Sequence, residues 1–494
     1  MNPTRFATTL LAACAALILT GCQTYNQQNT GLAHWRNGNV ELAAKEYSKK
    51  TEKEKTTKDS VIWRLEEGTV LRAAARYEES NAAFTAAEEQ IDAFEEKAKI
   101  SVSRETGAMF SNQATLPYEG RAFDKIMLHT YKALNYLQLG ESDKARVEII
   151  RAYQRQQDAV EENKRRIEKA EKAAAKQAEE SESTETPSKG KAKEEAQQQA
   201  DAQKSAEQAK SDERFLKQVD TAYGDLDAIK AYADYVNPLA VYLDGIFFMS
   251  NAADNSDLER ARKSLERTLA LTGENKFIQE DIEALEKVTA GQPISPTTYV
   301  IFETGLAPVR DQIRIDLPII LAGSLKVPYV GAAFPKLLYN SSNFLHNVTI
   351  STAERSEHTL SLASVDSIVA NDFKNELPTI ITKTLLSTTI KAIAAYAANK
   401  AVEKEDAFTR IAVALATATA QAAVNIADTR TWTTLPKEFQ FCRIATPEDR
   451  KLEIIHPVSG EKVSVELQEG TVNLLFVKAI SANTPLLVSQ AKLK

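Results

Sequence analysis

Residues 155–214 constrain the fold of this chain more than any other part of its sequence. These 60 residues include no aromatic side chain, and 28 of them are charged, 15 acidic and 13 basic. A segment with so little apolar surface cannot belong to a hydrophobic core, so the core must be built from the residues on either side. Opposite charges at helical spacing favour an exposed helical hairpin, either a solvated arm or a partner-binding one. We predict helices over 137–178 and 194–235, with a disordered tip at about 178–191 that contains a proline and a glycine.

Helical repeats flank this insertion. Small and aromatic residues recur on both sides of it at offsets that resemble those of tetratricopeptide repeats. The fullest copy contains Gly68, Leu71, Ala74, Tyr77, Ser80, Phe84 and Ala87. Neighbouring repeats must stack to bury their apolar faces, so the pattern predicts a short curved solenoid over residues 31–290. An unrelated helical bundle is the alternative.

The pattern changes near Gly291, where glycine and proline residues mark a boundary. Beyond it, β-branched residues alternate with polar ones, which predicts strands. Two alanine-rich helices, 367–400 and 407–427, interrupt these strands and are predicted to form a hairpin over 367–427. The predicted fold class is therefore α+β: an N-terminal tetratricopeptide-like solenoid with an inserted charged hairpin, and a C-terminal β domain at 291–494 that carries the alanine-rich hairpin.

The amino-terminal residues resemble the signal of a bacterial lipoprotein. Arg5 is followed by an apolar stretch too short to span a membrane, and then by Leu-Thr-Gly-Cys at residues 19–22. This resemblance implies that residues 1–21 are removed, that Cys22 is lipidated, and that residues 22–30 form a polar tether with nothing to bury. A glutamine rather than an aspartate after the cysteine favours the outer membrane, with the chain on its periplasmic face. An ordinary secretory signal and an uncleaved anchor are the alternatives.

The distribution of charged and metal-binding residues argues against several functions. A net charge of −7 gives no reason to expect a nucleic-acid partner, because such proteins carry a concentrated basic face. The five histidines are scattered, and the sequence has neither a glycine-rich phosphate loop nor a Gly-x-Ser-x-Gly motif. We therefore predict no enzyme activity, no cofactor and no metal. Cys442 falls in a predicted strand and is expected to be a buried structural thiol.

One local motif, Asp-Thr-Arg-Thr-Trp-Thr-Thr-Leu-Pro at residues 428–436, is a candidate site. Its Asp428, Arg430 and Trp432 follow the second alanine-rich helix and indicate a structural corner or, alternatively, a ligand site. We expect Trp432 to pack across the base of the hairpin, while Arg430 pairs with Asp428 or Glu303.

This motif, the segment Phe-Glu-Thr-Gly-Leu-Ala-Pro at 302–308, the lipoprotein signal, the repeats and the alanine-rich helices together resemble a family of uncharacterised bacterial lipoproteins with tetratricopeptide repeats. The resemblance covers nearly the whole chain after the signal. It implies the architecture given above and assigns no reaction, because the function of that family is not established.

The leading functional hypothesis is a non-enzymatic scaffold that binds a periplasmic protein partner in cell-envelope assembly, such as peptidoglycan synthesis or secretion. The first helix of each repeat would line the concave face of the solenoid. The polar side chains expected to be exposed there are Arg64, Glu67, Asn135 and Gln138. The alternative is a membrane-active protein that inserts its alanine-rich hairpin. An enzyme with a site assembled from distant residues is the third hypothesis.

Overall fold

A computed structural model of the chain describes residues 25, 29–100, 113–182, 207–229, 232, 235–320, 326–401 and 426–494. Within these residues, helices make up the N-terminal part and strands dominate the C-terminal part, which confirms the prediction of an α+β protein. The predicted signal sequence and Cys22 lie outside the described residues.

Antiparallel helix pairs build the N-terminal part. The described helices are α1 (Gly31–Arg36), α2 (Val40–Glu54), α3 (Ser60–Ala73), α4 (Tyr77–Ile100), α5 (Ala122–Gln138), α6 (Ser142–Glu182), α7 (Glu213–Tyr223), α8 (Pro238–Ser250), α9 (Asn255–Thr272) and α10 (Lys276–Thr289). Helices α1 and α2, α3 and α4, α5 and α6, and α8 and α9 form pairs, and each pair packs on the next along the chain.

Close contact within two of these pairs depends on a glycine under an aromatic ring. A Cβ atom at Gly68 in α3 would lie 2.4 Å from the ring of Phe84 in α4. In the first pair, a Cβ atom at Gly31 would lie 2.9 Å from Tyr47, at the same sequence separation. Distances this short leave no room for a side chain, so glycine lets the two helices approach.

The first helix of the charged insertion begins later than predicted. Gly140 has a φ of 73°, a backbone conformation that ends a helix, so α6 begins at Ser142 rather than continuing from residue 137. Helix α6 then extends to Glu182, four residues into the predicted disordered tip. The remainder of that tip, 183–191, lies outside the described residues.

The second predicted helix of the insertion, 194–235, is helical in much of its described part but is interrupted at residues 211 and 212. The side chain of Asp212 accepts a hydrogen bond from the N–H of Phe215 at 2.9 Å and thereby starts a new helix, α7. A short 3₁₀ turn, Gly224–Ala228, follows α7 and ends the helical region before residue 235.

Strands make up most of the C-terminal part. The described strands are β1 (Thr297–Thr304), β2 (Val309–Ile320), β3 (Lys326–Leu338), β4 (Thr349–Ser351), β5 (Ser356–His358), β6 (Leu360–Ser364), β7 (Glu438–Ala445), β8 (Lys451–Ile455), β9 (Lys462–Glu466), β10 (Val472–Ala479) and β11 (Leu487–Lys492). The central sheet has the order β11-β10-β1-β7-β6, and β1 runs parallel to β10 but antiparallel to β7. Strands β2 and β3 form a separate hairpin, and a four-stranded sheet has the order β5-β4-β8-β9.

The first predicted alanine-rich helix is present as α11 (Val365–Ala401). The second lies almost entirely within residues 402–425, which are outside the described residues, so the hairpin stays a prediction. Within the described part of the chain, no helix combines the length and apolar character needed to cross a membrane.

The central sheet packs directly on the helix pairs, so the two parts of the chain share one hydrophobic core. The ring of Phe439 in β7 lies 6.4 Å from that of Tyr131 in α5, measured between centroids. Two residues further along β7, Phe441 contacts Tyr242 of α8 at 4.6 Å and Phe277 of α10 at 5.6 Å. Every second residue of this strand therefore faces the helices.

The segment before α1 also contacts the folded chain. Tyr25 is only 6 % exposed, its ring lies 4.9 Å from that of Trp63, and its hydroxyl donates to Glu66 Oε1 at 2.5 Å. Asn29 Nδ2 donates to Thr433 Oγ1 at 3.0 Å. The prediction of a tether with nothing to bury is wrong for its described residues, because Tyr25 and Asn29 are both buried against the folded chain.

Candidate functional site

Two of the four predicted groove residues are engaged by other parts of the chain. Asn135 is fully buried, and its Nδ2 donates to Ser80 Oγ at 2.9 Å and to Asn81 Oδ1 at 3.0 Å. Gln138 is partly buried and donates to Ser489 Oγ of β11 at 3.0 Å. The prediction that these side chains are exposed is wrong. Helical periodicity places them on α5, but it carries no information about the strand and helix that cover them.

The other two groove residues, Arg64 and Glu67, are partly exposed on α3. Arg64 Nη1 donates to the carbonyl oxygen of Ala86 in α4 at 2.6 Å. Arg64 therefore connects the two helices of its own pair. The four predicted residues do not form a common open surface in the described structure.

An open cavity of about 630 Å³ lies where the first two helix pairs meet the edge of the central sheet. The turn before α2, the carboxyl end of α3 and strands β1, β10 and β11 form its walls. The apolar part of the wall includes Val40, Leu42, Ala73, Phe476, Leu486 and Leu487. Leu42 is 51 % exposed, so the cavity opens to solvent on that side. We refer to this space as the edge cavity.

Three charged side chains lie together in the edge cavity. Glu303 of β1 and Lys478 of β10 are register partners on neighbouring parallel strands, and Lys478 Nζ lies 2.6 Å from Glu303 Oε2. Arg72 extends from α3, with its Nη2 3.3 Å from Glu303 Oε1. The hydroxyl of Tyr131 donates to Glu303 Oε2 at 3.2 Å. Glu303 was one of two predicted partners of Arg430, and Arg430 pairs with the other one, Asp428.

Aromatic rings surround the two cations of the edge cavity. The guanidinium of Arg72 lies 5.2 Å from the ring centroid of Tyr131 and 5.0 Å from that of Phe476. Lys478 Nζ lies 5.1 Å from the ring of Trp35. These contacts stabilise buried positive charge through the electron-rich faces of the rings.

The electrostatics of the edge cavity keep Glu303 ionised. Burial acts to raise the pKa of Glu303, but the charges of Lys478 and Arg72 outweigh it and hold the pKa below its ordinary value. Burial lowers the pKa of Lys478, although Glu303 opposes that effect. A permanently ionised carboxylate is suited to orienting cations, whereas general acid–base catalysis needs a pKa near the working pH.

The motif at 428–436 forms a structural corner, which is one of the two interpretations given by the sequence. Arg430 Nε lies 2.8 Å from Asp428 Oδ1, which confirms the predicted pair, and Arg430 Nη1 lies 2.9 Å from Asp59 Oδ1. Trp432 Nε1 donates to Thr69 Oγ1 of α3 at 2.8 Å. The ring of Trp432 lies in the helical part of the core, near Phe84 and Tyr131. Its expected packing across the base of the hairpin stays a prediction, because the second helix of that hairpin lies outside the described residues.

A buried carboxylate holds this corner against the helices. Glu66 of α3 accepts hydrogen bonds from the N–H groups of Thr433 at 2.7 Å and Thr434 at 3.0 Å. Tyr25 donates to the same carboxylate. Burial raises the pKa of Glu66, even though these donors act to lower it. The sequence around Glu66 does not predict its contact with this corner, because its partners are far away along the chain.

Among the described residues, one group of carboxylate and imidazole side chains has donor atoms close enough to share a metal ion: Glu88, His129 and Glu148. Lys132 Nζ already lies 2.6 Å from Glu88 Oε2 and 3.1 Å from Glu148 Oε1. Arg151 Nη1 lies 3.2 Å from an oxygen of each carboxylate. Two cationic side chains therefore neutralise both acids, which disfavours a metal there.

Cys442 is fully buried in β7, as predicted for a structural thiol. Burial raises the pKa of this thiol to about 12, so it is protonated near neutral pH. The predicted lipidation site, Cys22, lies outside the described residues, and its modification stays a prediction.

The chain matches no known protein family model, no curated protein and no solved structure. The resemblance to lipoproteins with tetratricopeptide repeats therefore stays a prediction, and any function has to be argued from the geometry of the chain itself.

Proposed function

We propose that this chain is a lipid-anchored, non-enzymatic protein of the outer membrane, on its periplasmic face, that binds a protein partner during cell-envelope assembly through the edge cavity. The edge cavity carries this proposal, because it combines an opening to solvent, an apolar wall and a fixed group of charges. Binding sites typically have this composition, with few polar groups that set the orientation of the ligand.

We also infer that the helix pairs form a tetratricopeptide-like solenoid whose concave side is filled by its own sheet. The glycine contacts of the first two pairs support this inference, and Gly245 repeats them in α8, where a Cβ atom would lie 2.8 Å from Leu265. In such a solenoid the first helices face inward. Here Arg72 of α3, Tyr131 of α5 and Tyr242 of α8 contact the central sheet, so a partner has access at the edge of the sheet rather than along the whole groove.

The docked position of Tyr25 supports an arrangement close to the membrane. Tyr25 is three positions after Cys22, and a fully extended chain spans about 3.3–3.6 Å per residue. The lipid would thus lie within about 11 Å of Tyr25, which packs on Trp63. Trp63 and Arg72 are on the same helix, about 14 Å apart at 1.5 Å per residue. The edge cavity would lie near the membrane surface.

A photo-crosslinking amino acid at Leu42 tests this proposal in intact cells. Leu42 is exposed at the mouth of the edge cavity, and we expect one discrete crosslinked protein from that position. The matched control is Val458, which is 66 % exposed in the turn between β8 and β9 and is not part of the edge cavity. Crosslinks that are equally strong from both positions, or absent from Leu42, would contradict the assignment of the cavity.

The anchor is tested by Cys22→Ser. We expect this variant to leave the membrane fraction and the Leu42 crosslink to weaken, because the chain is no longer held beside its partner. Retention of the variant in the membrane after alkaline extraction would favour insertion of the alanine-rich hairpin instead.

A further inference from the structure

The charges deep in the edge cavity are unbalanced, and the fourth charged residue of its wall, Glu41, is exposed. Arg72 is 7 % exposed, Glu303 is 4 % exposed, and the side chain of Lys478 is 12 % exposed. Among the residues that the structure describes, Glu303 is the single carboxylate that pairs with either cation. Arg72 and Lys478 therefore share one carboxylate, which leaves an excess of one positive charge among these three largely buried groups, where an uncompensated charge is costly.

The hydrogen bonds of Arg72 leave it available for a better partner. Its Nη2 lies 3.3 Å from Glu303 Oε1 and its Nη1 lies 3.4 Å from Asn135 Oδ1, both at the long end of hydrogen-bond distances. The short contact of Glu303 is the one to Lys478, at 2.6 Å. A guanidinium with two long bonds gains more from an added anion than an ammonium with one short bond.

The wall of the edge cavity determines what kind of anion fits. Helix α2 begins at Val40 in this wall, and within the described residues the side chain of Asn39 caps none of its N–H groups. Glu41 in the first turn of α2 already places a negative charge at this positive end of the helix, so the helix adds little to the attraction for an anion. The apolar side chains beside it, including Leu42, Leu486 and Leu487, suit a ligand with aliphatic groups next to its charge.

We propose that the edge cavity binds a short peptide by its free C-terminal carboxylate, with the carboxylate at Arg72 and Lys478 and the preceding side chains on the apolar wall. This inference rests on the proposed function, in which the edge cavity is the partner site. A monoanion matches the single unbalanced charge, whereas a phosphate group brings about 1.5 to 2 negative charges at neutral pH. The planar fork of Arg72 also matches the geometry of a carboxylate.

The proposal is tested with the full chain purified in detergent and three probes. These are an acetylated tetra-alanine peptide with a free carboxylate, the same peptide as its C-terminal amide, and sodium acetate, measured by isothermal titration calorimetry. We expect the amide to bind at least tenfold more weakly than the acid, and acetate to bind more weakly than the peptide. Equal affinity of acid and amide, or no binding of the acid at millimolar concentration, would overturn the proposal. Equal affinity of acetate and peptide acid would overturn the peptide assignment.

Variants separate the roles of the charged residues. Lys478→Met should weaken binding of the peptide acid at least tenfold, whereas Glu303→Gln should tighten it, because the competing carboxylate is removed. Leu42→Glu places a negative charge at the exposed mouth and should weaken binding without disturbing the core. Lys462→Met, on the exposed strand β9, is the matched control and should bind as the unmodified chain does. Weaker binding by Glu303→Gln, in a variant that melts at the unmodified temperature, would contradict the charge argument.

The two proposals can fail separately. A Leu42 crosslink in cells without binding of the peptide acid in vitro would leave the edge cavity as a partner site and overturn the carboxylate inference. Carboxylate-dependent binding in vitro without a crosslink in cells would support the carboxylate inference and overturn the edge cavity as the partner site in cells.

Discussion

Trp432 connects the C-terminal segment to the helices through both packing and hydrogen bonding. It is fully buried, and its ring lies 5.8 Å from that of Phe84 and 6.0 Å from that of Tyr131. We predict that Trp432→Ala lowers the free energy of unfolding by about 3 to 5 kcal/mol, because it leaves a large cavity between α3, α4 and α5. Denaturant unfolding followed by circular dichroism measures this loss.

A second variant separates the contribution of the indole N–H of Trp432 to stability from the contribution of the volume of its ring. Trp432→Phe keeps most of the ring but leaves Thr69 Oγ1 without its donor, so we expect a smaller loss of about 1 to 3 kcal/mol. An unchanged unfolding curve for Trp432→Ala would show that the corner is not part of the cooperative core.

Asp281 makes the stability of the fold depend on pH. It accepts hydrogen bonds from the hydroxyls of Tyr242 and Tyr299, each at 2.7 Å, and Arg443 Nε lies 2.8 Å from Asp281 Oδ1. Burial outweighs these partners and raises its pKa from 3.8 to about 6. Between pH 4 and pH 6 the folded state therefore holds a proton that the unfolded state has released. The contribution of Asp281 to the free energy of unfolding is complete below pH 4 and is lost as the pH rises through 6.

Comparison with Asp281→Asn measures this contribution, because the amide does not titrate. We expect the unmodified chain to exceed the variant in stability by more at pH 4 than at pH 7.5, with a difference of at most about 3 kcal/mol for a shift of roughly two units. A difference that grows with pH would mean that the ion pair with Arg443 dominates instead.

At the scale of single residues, sequence was informative only about local partners. The pair of Asp428 and Arg430 could be predicted because the two residues are neighbours on one turn. Glu303 meets Arg72 across 231 residues and Lys478 across 175, and no local pattern encodes such a contact. The edge cavity was missed for this reason, although Glu303 itself was identified as a candidate.

Among the helices, the contact between Gly68 and Phe84 sets how closely α3 and α4 approach. Gly68→Ala would place a methyl group 2.4 Å from the ring, so we predict a loss of about 1 to 3 kcal/mol in unfolding free energy. Gly224→Ala is the matched control. Gly224 has a φ of −60°, and the nearest atom to its added Cβ is Asp220 Oδ1 at 3.7 Å. This control should be neutral or stabilising by about 0.4 to 1 kcal/mol. Equal melting temperatures for both variants would contradict the role of the glycine contact.

Most elements could be predicted from periodicity, but their breaks and pairings could not. The break at Gly140 depends on a glycine turn, and the break at Asp212 depends on a helix cap within the charged insertion. The parallel pair of β1 and β10 joins segments that are separated by most of the C-terminal part. Sheet order depends on such long-range pairing, so alternation alone predicts strands without their neighbours.

For the molecule as a whole, repeat patterns indicated which faces the helices bury against each other, but not what covers the remaining face. The inward side chains of the helices are aromatic or ionic, such as Tyr131 and Tyr242, and in a repeat protein these could serve an external partner. Here β7 supplies their partners within the chain. Within the described residues, the sheet therefore covers much of the face that was predicted to form an open groove, and the edge cavity lies beside that covered face.

Because the helices and the sheet share one core, we predict that fragments of the chain do not fold independently. Residues 25–290, produced alone, would expose the surfaces that contact Phe439, Phe441 and Trp432, and would leave the carboxylate of Glu66 without its backbone donors. We expect this fragment to aggregate or to bind a hydrophobic dye strongly, because a large apolar face is left in water. Co-production with residues 291–494 should restore a soluble complex of both fragments that unfolds in one transition. Two fragments that are each monomeric and unfold cooperatively on their own would show that the helices and the sheet are independent domains, contrary to the continuous packing between them.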